Sequence, residues 1–239
     1  MPEKNLKNNQ QVIILIGAPG AGKGTQAGLL SEKLNLYHFE TSKILEAAFR
    51  NVSQRRFVSA NGEKYDLLEE KKKWETGILC TPSLVSYLVK EKVVELHEDN
   101  KSIIFSGSPR TIDEGKTLIP FLKKLYGSKN IKVIFLEITA KETIWRNSRR
   151  RICELMRHPI LYSKENEALR FCPLDGSKLL NRKGLDDPET IKIRIKEYQE
   201  RTYPLVDLFN KQGLSLSRID GKNSVAKVFA DVLKALGEE

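Results

Sequence analysis

The chain has 239 residues, 30% of them charged and 40% hydrophobic, and a formal net charge of +10. This composition is typical of a soluble globular protein with one sizeable core, and no apolar run indicates a membrane span or a signal peptide. The lysines are scattered and no aromatic residues alternate with them, so we expect a solvated basic surface and phosphate-binding arginines, without a membrane or a nucleic acid as main partner.

The first predicted element is an apolar strand, Val12–Ile16, which ends in a glycine-rich turn before a helix-compatible stretch from Thr25 to Leu34. Glycines let backbone N–H groups surround an anion, and the helix directs its positive end to the same place. Lys23 adds a charge that can reach the outer phosphates of a nucleotide. The spacing therefore predicts a phosphate-binding loop that binds ATP through Gly17, Ala18, Pro19, Gly20, Ala21, Gly22, Lys23, Gly24 and Thr25.

Three further strands are predicted at Ser102–Phe105, Val133–Ile138 and Leu214–Ile219, and helical patterns separate them. Alternating strands and helices indicate an α/β fold with a parallel sheet covered on both faces. Helix starts are also marked in the sequence. Thr81 precedes a proline as a capping hydroxyl, residues 139–142 form a capping box, and residues 187–189 open a helix that should run to about residue 211.

Two stretches interrupt this alternation. Residues 41–76 are polar and helical, and residues 151–187 have weak periodicity and two cysteines. Because a structureless loop of this length is improbable inside a compact domain, each stretch predicts a small inserted lobe. The predicted core then consists of residues 1–40, 77–150 and 188–239.

Arginines at separated positions predict a positively charged cage. Arg110 follows a strand, Arg146 and Arg150 share one helix face, and Arg182 and Arg194 flank an acidic turn. Guanidinium groups match the geometry of phosphate oxygens. Phosphoryl transfer needs aligned substrates and positive charge around the moving group, and this pattern supplies the charge.

The loop sequence of residues 17–26 resembles the nucleotide loop of adenylate kinases and related nucleoside monophosphate kinases, and the resemblance covers nearly the whole chain. It implies a P-loop kinase fold with a monophosphate-binding lobe at residues 41–76 and a lid at residues 151–187. Further segments match family motifs in the same order, at residues 77–81, 106–111, 146–151, 182–194 and 220–225.

The resemblance also implies roles for individual residues. The reacting phosphates would be held by Lys23, Arg110, Arg150, Arg182 and Arg194. The remaining ATP contacts would be Arg146, Asn223 and Val225. The monophosphate would be bound by Thr41, Glu46, Arg50, Gly107, Arg110 and Glu114. Thr25 would contact magnesium through its hydroxyl or a water molecule.

Several positions depart from the family pattern. Lys43 and Ser106 stand where the family has aspartates that help to hold hydrated magnesium, and Glu46 stands where it has an arginine. Arg50, one turn beyond Glu46, is a candidate to take over the phosphate contact, and Glu40 or Glu46 to supply a carboxylate. These changes predict a higher magnesium requirement.

Glu114 stands where adenylate kinases use a glutamine to read adenine. An ionised carboxylate only accepts hydrogen bonds, so it would suit the donors of guanine better than adenine. Thr111 and Glu114 also form a capping box, which would give the carboxylate a structural role instead. Both interpretations stay open at this point, with AMP as the default acceptor.

The lid has part of a zinc-ribbon pattern. Cys153, Cys172 and Asp175 match family ligands, Met156 replaces one cysteine, and His158 is a candidate substitute. We expect a decayed site that is stable without zinc, with its cysteines packed as small apolar residues. The odd total of three cysteines also argues against disulfides and predicts a reducing, cytoplasmic location.

The function favoured by these patterns is reversible transfer of the γ-phosphoryl group of ATP to a nucleoside monophosphate, by a monomeric enzyme that uses magnesium. Three alternatives stay open: a kinase of the same fold with a non-adenine acceptor such as GMP, a non-catalytic nucleotide-binding protein, and a basic ATPase associated with nucleic acid. The complete arginine cage argues against the non-catalytic alternative, and the missing aspartates argue for it.

Overall fold

The computed structural model describes residues 10–50, 52–53, 56–60, 62–157, 159–182 and 185–238. The strands are β1 (Val12–Gly17), β2 (Tyr37–Phe39), β3 (Phe57–Ala60), β4 (Glu63–Asp66), β5 (Ile103–Phe105), β6 (Ile131–Glu137), β7 (Arg151–Cys153), β8 (Pro159–Ile160), β9 (Leu179–Leu180) and β10 (Ser215–Asp220). The α-helices are α1 (Lys23–Lys33), α2 (Thr41–Arg50), α3 (Leu67–Glu75), α4 (Pro82–Glu98), α5 (Ile112–Tyr126), α6 (Ala140–Arg149), α7 (Pro188–Glu197), α8 (Leu205–Lys211) and α9 (Val225–Leu236).

Five parallel strands form the central sheet in the order β10-β6-β1-β5-β2. Alternate residues of β1 enter two different cores, with Val12 and Ile14 on one face and Ile13 and Leu15 on the other. The α/β fold and the four predicted strands are confirmed. β2 was not predicted, because it is short and only one of its three residues is buried, whereas the equally short β5 is buried and apolar throughout.

Three helix predictions need correction. Arg150 does not share a helix face with Arg146, because α6 ends at Arg149 and the backbone of Arg150 is extended. Thr81 does not cap α4 with its side chain; its Oγ1 instead lies 2.6 Å from Glu70 Oε1 and 3.0 Å from Lys73 Nζ. The helix expected from residue 187 to about residue 211 is divided into α7, a π-helical segment at Tyr198–Thr202, and α8. Pro204 lies at the break, where it removes a backbone donor and crowds the preceding turn.

The two inserted stretches contain small antiparallel sheets. Within residues 41–76, β3 pairs with β4 between α2 and α3, and this hairpin was not predicted. Within residues 151–187, β7 pairs with β8 and β9. The division of the chain into core, monophosphate lobe and lid stays a prediction. In the described part of the chain, no helix is both long and apolar enough to cross a membrane.

Candidate active site

The carboxyl end of β1 turns sharply into α1 through the glycine-rich loop. Gly17 and Gly20 have φ values of +149° and +84°. A Cβ atom on Gly17 would lie 2.4 Å from the Leu136 carbonyl oxygen, and one on Gly20 would lie 2.7 Å from Asn147 Nδ2. Only glycine fits these close approaches, which place the first turn of α1 at the edge of a large cavity.

Lys23, the first residue of α1, folds back over the loop. Its Nζ donates to the carbonyl oxygens of Gly17 and Ala18, at 2.6 and 3.0 Å. Burial, together with the positive charges of Arg110, Arg194 and Arg150, lowers the pKa of Lys23 to about 7. An anion bound beside it would favour the charged ammonium.

The cavity has a volume of about 600 Å³ and is lined by residues of the phosphate loop and of the stretches 41–76 and 151–187. The charged residues of its described lining are mostly cationic, which suits phosphate groups. The lining cations are Lys23, Lys43, Arg110, Arg150, Arg157, Arg182 and Arg194, and the lining carboxylates are Glu40, Glu46 and Glu114. Of the predicted loop contacts, Pro19, Gly20, Gly22, Gly24 and Thr25 also line it.

Asp186 holds three of these arginines together. Its carboxylate accepts two hydrogen bonds from Arg150, at 2.6 and 3.1 Å, and two from Arg182, at 2.9 and 3.0 Å. Arg194 lies 3.6 Å away. Burial opposes the charged carboxylate, but hydrogen bonds from Arg182 and Arg150 outweigh it and hold the pKa of Asp186 below its usual range.

The role of Asp186 was missed in the sequence, where it stood in an acidic turn beside the helix-capping Asp187. Asp187 does cap α7, accepting from the Thr190 backbone N–H at 3.0 Å. The sequence signal that could have indicated this role is the position of Asp186 four residues after Arg182, the spacing of an i,i+4 ion pair. Burial, followed by the charges of Arg182 and Arg150, lowers the pKa of Arg194 to about 9, so Asp186 offsets only part of the positive charge.

Arg110 approaches the cavity beside Gly107 and Thr41. A Cβ atom on Gly107 would lie 3.2 Å from Arg110 Nη2 and 3.5 Å from Thr41 Oγ1, so glycine lets these groups come close. Thr202 donates to the Arg110 carbonyl oxygen at 2.7 Å and fixes its backbone. Thr41 is buried, and its Oγ1 has no hydrogen-bond partner within the described part of the chain.

Two of the positions that depart from the family pattern have close partners in the structure. Lys43 Nζ lies 2.5 Å from Glu40 Oε1, and His38 Nε2 lies 2.9 Å from Ser106 Oγ. All four line the cavity. Arg50, by contrast, lies at the exposed end of α2 and is not among the described lining residues, so the structure does not bring it to the other predicted contacts.

Glu114 is 3% exposed, although it reaches the cavity wall. Its carboxylate accepts from the Arg110 backbone N–H at 2.9 Å and from the hydroxyls of Ser108 and Thr111 at 3.2 and 3.3 Å. Thr111 caps α5 by accepting from the Glu114 N–H at 3.2 Å. Burial raises the pKa of Glu114 in spite of these hydrogen bonds.

The predicted ATP-base residues gather beside the phosphate loop rather than in the cavity lining. Arg146 donates to the carbonyl oxygens of Gly20 and Lys222, both at 3.4 Å. Asn223 lies in the β10–α9 loop, and the Val225 carbonyl oxygen accepts from Gln26 Nε2 at 3.0 Å. Ala18 and Ala21 are buried within the phosphate loop itself.

Cys153, Cys172 and Asp175 come together within the stretch 151–187, with their potential ligand atoms within 4.8 Å of one another. Cys153 Sγ donates to Asp175 Oδ2 at 3.0 Å, and hydrogen bonds from Cys153 and Ser177 lower the pKa of Asp175. This donor set suits zinc in part. His158, the predicted fourth ligand, lies outside the described residues, and the Met156 side chain is 64% exposed.

Comparison with known proteins supports the kinase interpretation of this site. The adenylate kinase family model matches residues 15–214. The chain is 34% identical to an adenylate kinase of Caldicellulosiruptor bescii over 95% of this chain and 99% of that protein. It is 33% identical to one of Chlamydia pneumoniae over 94% and 97% of the two chains, and 31% identical to one of Staphylococcus aureus strain Mu50 over 94% and 98%. The chain belongs to the adenylate kinase family and is an ATP-binding phosphotransferase.

Proposed function

We propose that the protein transfers the γ-phosphoryl group of ATP reversibly to a nucleoside monophosphate, with AMP as the default acceptor. The observation that carries this proposal is the convergence of Lys23, Arg110, Arg150, Arg182 and Arg194 on one cavity. Within the described residues, Asp186 is shared by three of these cations and leaves net positive charge for phosphates. The relatives named adenylate kinase support AMP as acceptor.

In the proposed mechanism an oxygen of the acceptor phosphate attacks the γ-phosphorus of ATP. The bond from that phosphorus to the oxygen bridging it to the β-phosphate breaks, and ADP leaves with the bonding electrons. Lys23 contacts the β- and γ-phosphate oxygens, while Arg150, Arg182 and Arg194 stabilise charge on the moving group. No side chain forms a covalent intermediate, and lid closure excludes water.

The acceptor phosphate is proposed to bind between Arg110 and the start of α2. The buried Thr41 hydroxyl, next to Gly107 and the Arg110 guanidinium, offers a donor for it or for its nucleoside. Glu46 borders the same region of the cavity. Because Arg50 lies away from the cavity, Lys43 is the better candidate for a lobe-side cation.

Magnesium would be held chiefly by the nucleotide phosphates, water and Thr25. Thr25 fits this role because it is the second residue after Lys23 and lines the cavity. The nearby carboxylate of Glu40 is paired with Lys43, so it offers the metal a weaker anchor than an unpaired acid. When bound, the metal neutralises charge on the β- and γ-phosphates.

The remaining contacts are proposed for the ATP base. Arg146 would pack over the base while Asn223 and Val225 border it, since these residues lie together beside Gly20. The monophosphate lobe and lid would then be residues 41–76 and 151–187, which flank the cavity from two sides.

A panel of monophosphates tested with ATP and magnesium distinguishes the candidate functions. We expect conversion of AMP to ADP, with Glu114 committed to its local hydrogen bonds rather than to base recognition. A clear preference for GMP would instead support the carboxylate as a reader of guanine donors. If ATP binds and no monophosphate is phosphorylated under any metal condition, the protein is a non-catalytic binder and the proposed function is wrong.

A further inference from the structure

Arg157 adopts a backbone conformation that is unfavourable for its residue type. Its φ is +57°, in the left-handed region, within the connection between β7 and β8 in the lid. The other described non-glycine residues with positive φ are Asn35 and Asn100, and asparagine tolerates this region because its short side chain bonds locally. Arginine lacks the short side chain that bonds locally in this conformation, so the backbone is strained at Arg157.

The Arg157 side chain lines the nucleotide cavity together with Met156 and Pro159 of the same hairpin. Most other cavity cations have a partner: Arg150 and Arg182 bind Asp186, and Lys43 binds Glu40. Within the described residues, the Arg157 guanidinium has no hydrogen bond or ion pair. It is therefore a cation at the cavity wall whose donors have no acceptor among the described residues of the protein.

We propose that Arg157 is an additional nucleotide-binding residue, which donates from the lid to a phosphate oxygen of a bound substrate. This inference rests on the proposed function, since it needs phosphates in the cavity. The planar guanidinium suits a phosphate oxygen, and Arg157 is one of the residues that line the cavity. The phosphate could belong to ATP or to the acceptor, and the experiment below separates them.

Three substitutions separate charge from backbone strain. Arg157→Gly removes both, because glycine adopts positive φ freely. Arg157→Asn removes the charge and tolerates the backbone, whereas Arg157→Lys keeps the charge and the strain. Arg170→Asn is the matched control, since Arg170 is an exposed lid arginine that is not among the described cavity-lining residues.

The measurements are equilibrium binding of ATP alone and of AMP alone by calorimetry, and the melting temperature Tm of each variant without nucleotide. Loss of a charge-assisted hydrogen bond should weaken one of the two ligands by about tenfold in both Arg157→Gly and Arg157→Asn. Arg157→Lys and Arg170→Asn should bind both ligands within about threefold of the parent. Relief of strain should raise the Tm of Arg157→Gly by up to about 4 °C.

The combination of weaker binding with equal or higher stability identifies a binding role. The ligand that is weakened identifies the source of the phosphate. Unchanged affinity for both ligands in Arg157→Asn would overturn the proposal, as would a fall in Tm that accompanies equal losses in all three Arg157 variants. Failure of the proposed function would show differently, as absence of transfer in the parent protein.

Discussion

The part of the cavity proposed for ATP, here called the donor side, and the part proposed for the monophosphate, the acceptor side, differ in how their charged residues are balanced. On the donor side, Lys23 lies with three arginines, and the Asp186 carboxylate contacts all three arginines. On the acceptor side, Lys43 and Arg110 line the cavity together with three carboxylates. Two of these carboxylates have partners within the protein: Glu40 pairs with Lys43, and Glu114 accepts from the Arg110 backbone N–H. The difference teaches that the proposed donor side follows from arginines that the motifs identify, whereas the charges of the proposed acceptor side are modified by neighbouring pairs that are not part of those motifs.

The largest expected effect on activity is that of removing the Arg150 guanidinium from the donor side. Arg150→Ala should lower kcat by about a hundredfold or more, because its guanidinium would stabilise charge on the transferring group. ATP binding should remain measurable, since Lys23 and Arg182 are still present. Arg149→Ala is the matched control: its guanidinium stacks 5.4 Å from the Trp145 ring and is not among the described lining groups. Equal activity in Arg150→Ala and the control would contradict the cage.

The acceptor side can be tested at Ser106. Ser106→Asp should lower the magnesium concentration needed for half-maximal activity by about tenfold, because a carboxylate orients metal-bound water more strongly than a hydroxyl. Ser42→Asp adds the same charge to another part of the cavity wall and should have a smaller effect. Identical metal titrations for the parent and Ser106→Asp would show that magnesium is held without help from this position.

Substitutions of Glu114 distinguish a role in base recognition from a role in helix capping. Glu114→Ala leaves the donors of Arg110, Ser108 and Thr111 unpaired, so unfolding free energy should fall by about 1–3 kcal/mol in chemical denaturation. Glu114→Gln keeps the shape, and its ratio of kcat/KM for AMP over GMP should stay within about threefold of the parent. A shift of that ratio by tenfold or more in Glu114→Gln would assign the side chain to base reading.

The smallest expected effect is the change in melting temperature when a chelator is added, which tests for zinc in the proposed lid. Structural zinc contributes folding free energy directly, so its removal from a zinc-dependent lid lowers stability strongly. We expect protein made in zinc-rich medium to contain less than one zinc per chain, and its Tm to change by less than about 2 °C with chelator. Stoichiometric zinc with a large fall in Tm would establish Cys153, Cys172 and Asp175 as working ligands.

The sequence predicted the core of the fold better than the inserted stretches. β1 and its glycine loop could be identified because buried parallel strands are continuous apolar runs and the turn requires glycine. The β3–β4 hairpin was missed because its strands have only four residues each, β4 is mostly polar, and alternate residues of β3 are exposed. The contact of Asp186 with Arg150 escaped notice because it depends on a tertiary distance. The Lys43–Glu40 and Arg182–Asp186 pairs, by contrast, have helical spacing that the sequence does contain. Thr81 was misassigned because Glu70, distant in the sequence pattern, competes for its hydroxyl.

The central claim is that nucleotide phosphates balance the donor-side charge at Lys23. Because burial and neighbouring arginines lower the pKa of Lys23 to about 7, the free protein holds this amine largely neutral at pH 8. A bound polyphosphate should raise that pKa, so ATP binding at pH 8 should take up protons. Calorimetry in two buffers of different ionisation enthalpy measures this uptake. We predict net uptake in the parent and its loss in Lys23→Met; no uptake in the parent, or the same uptake in both, would contradict the account.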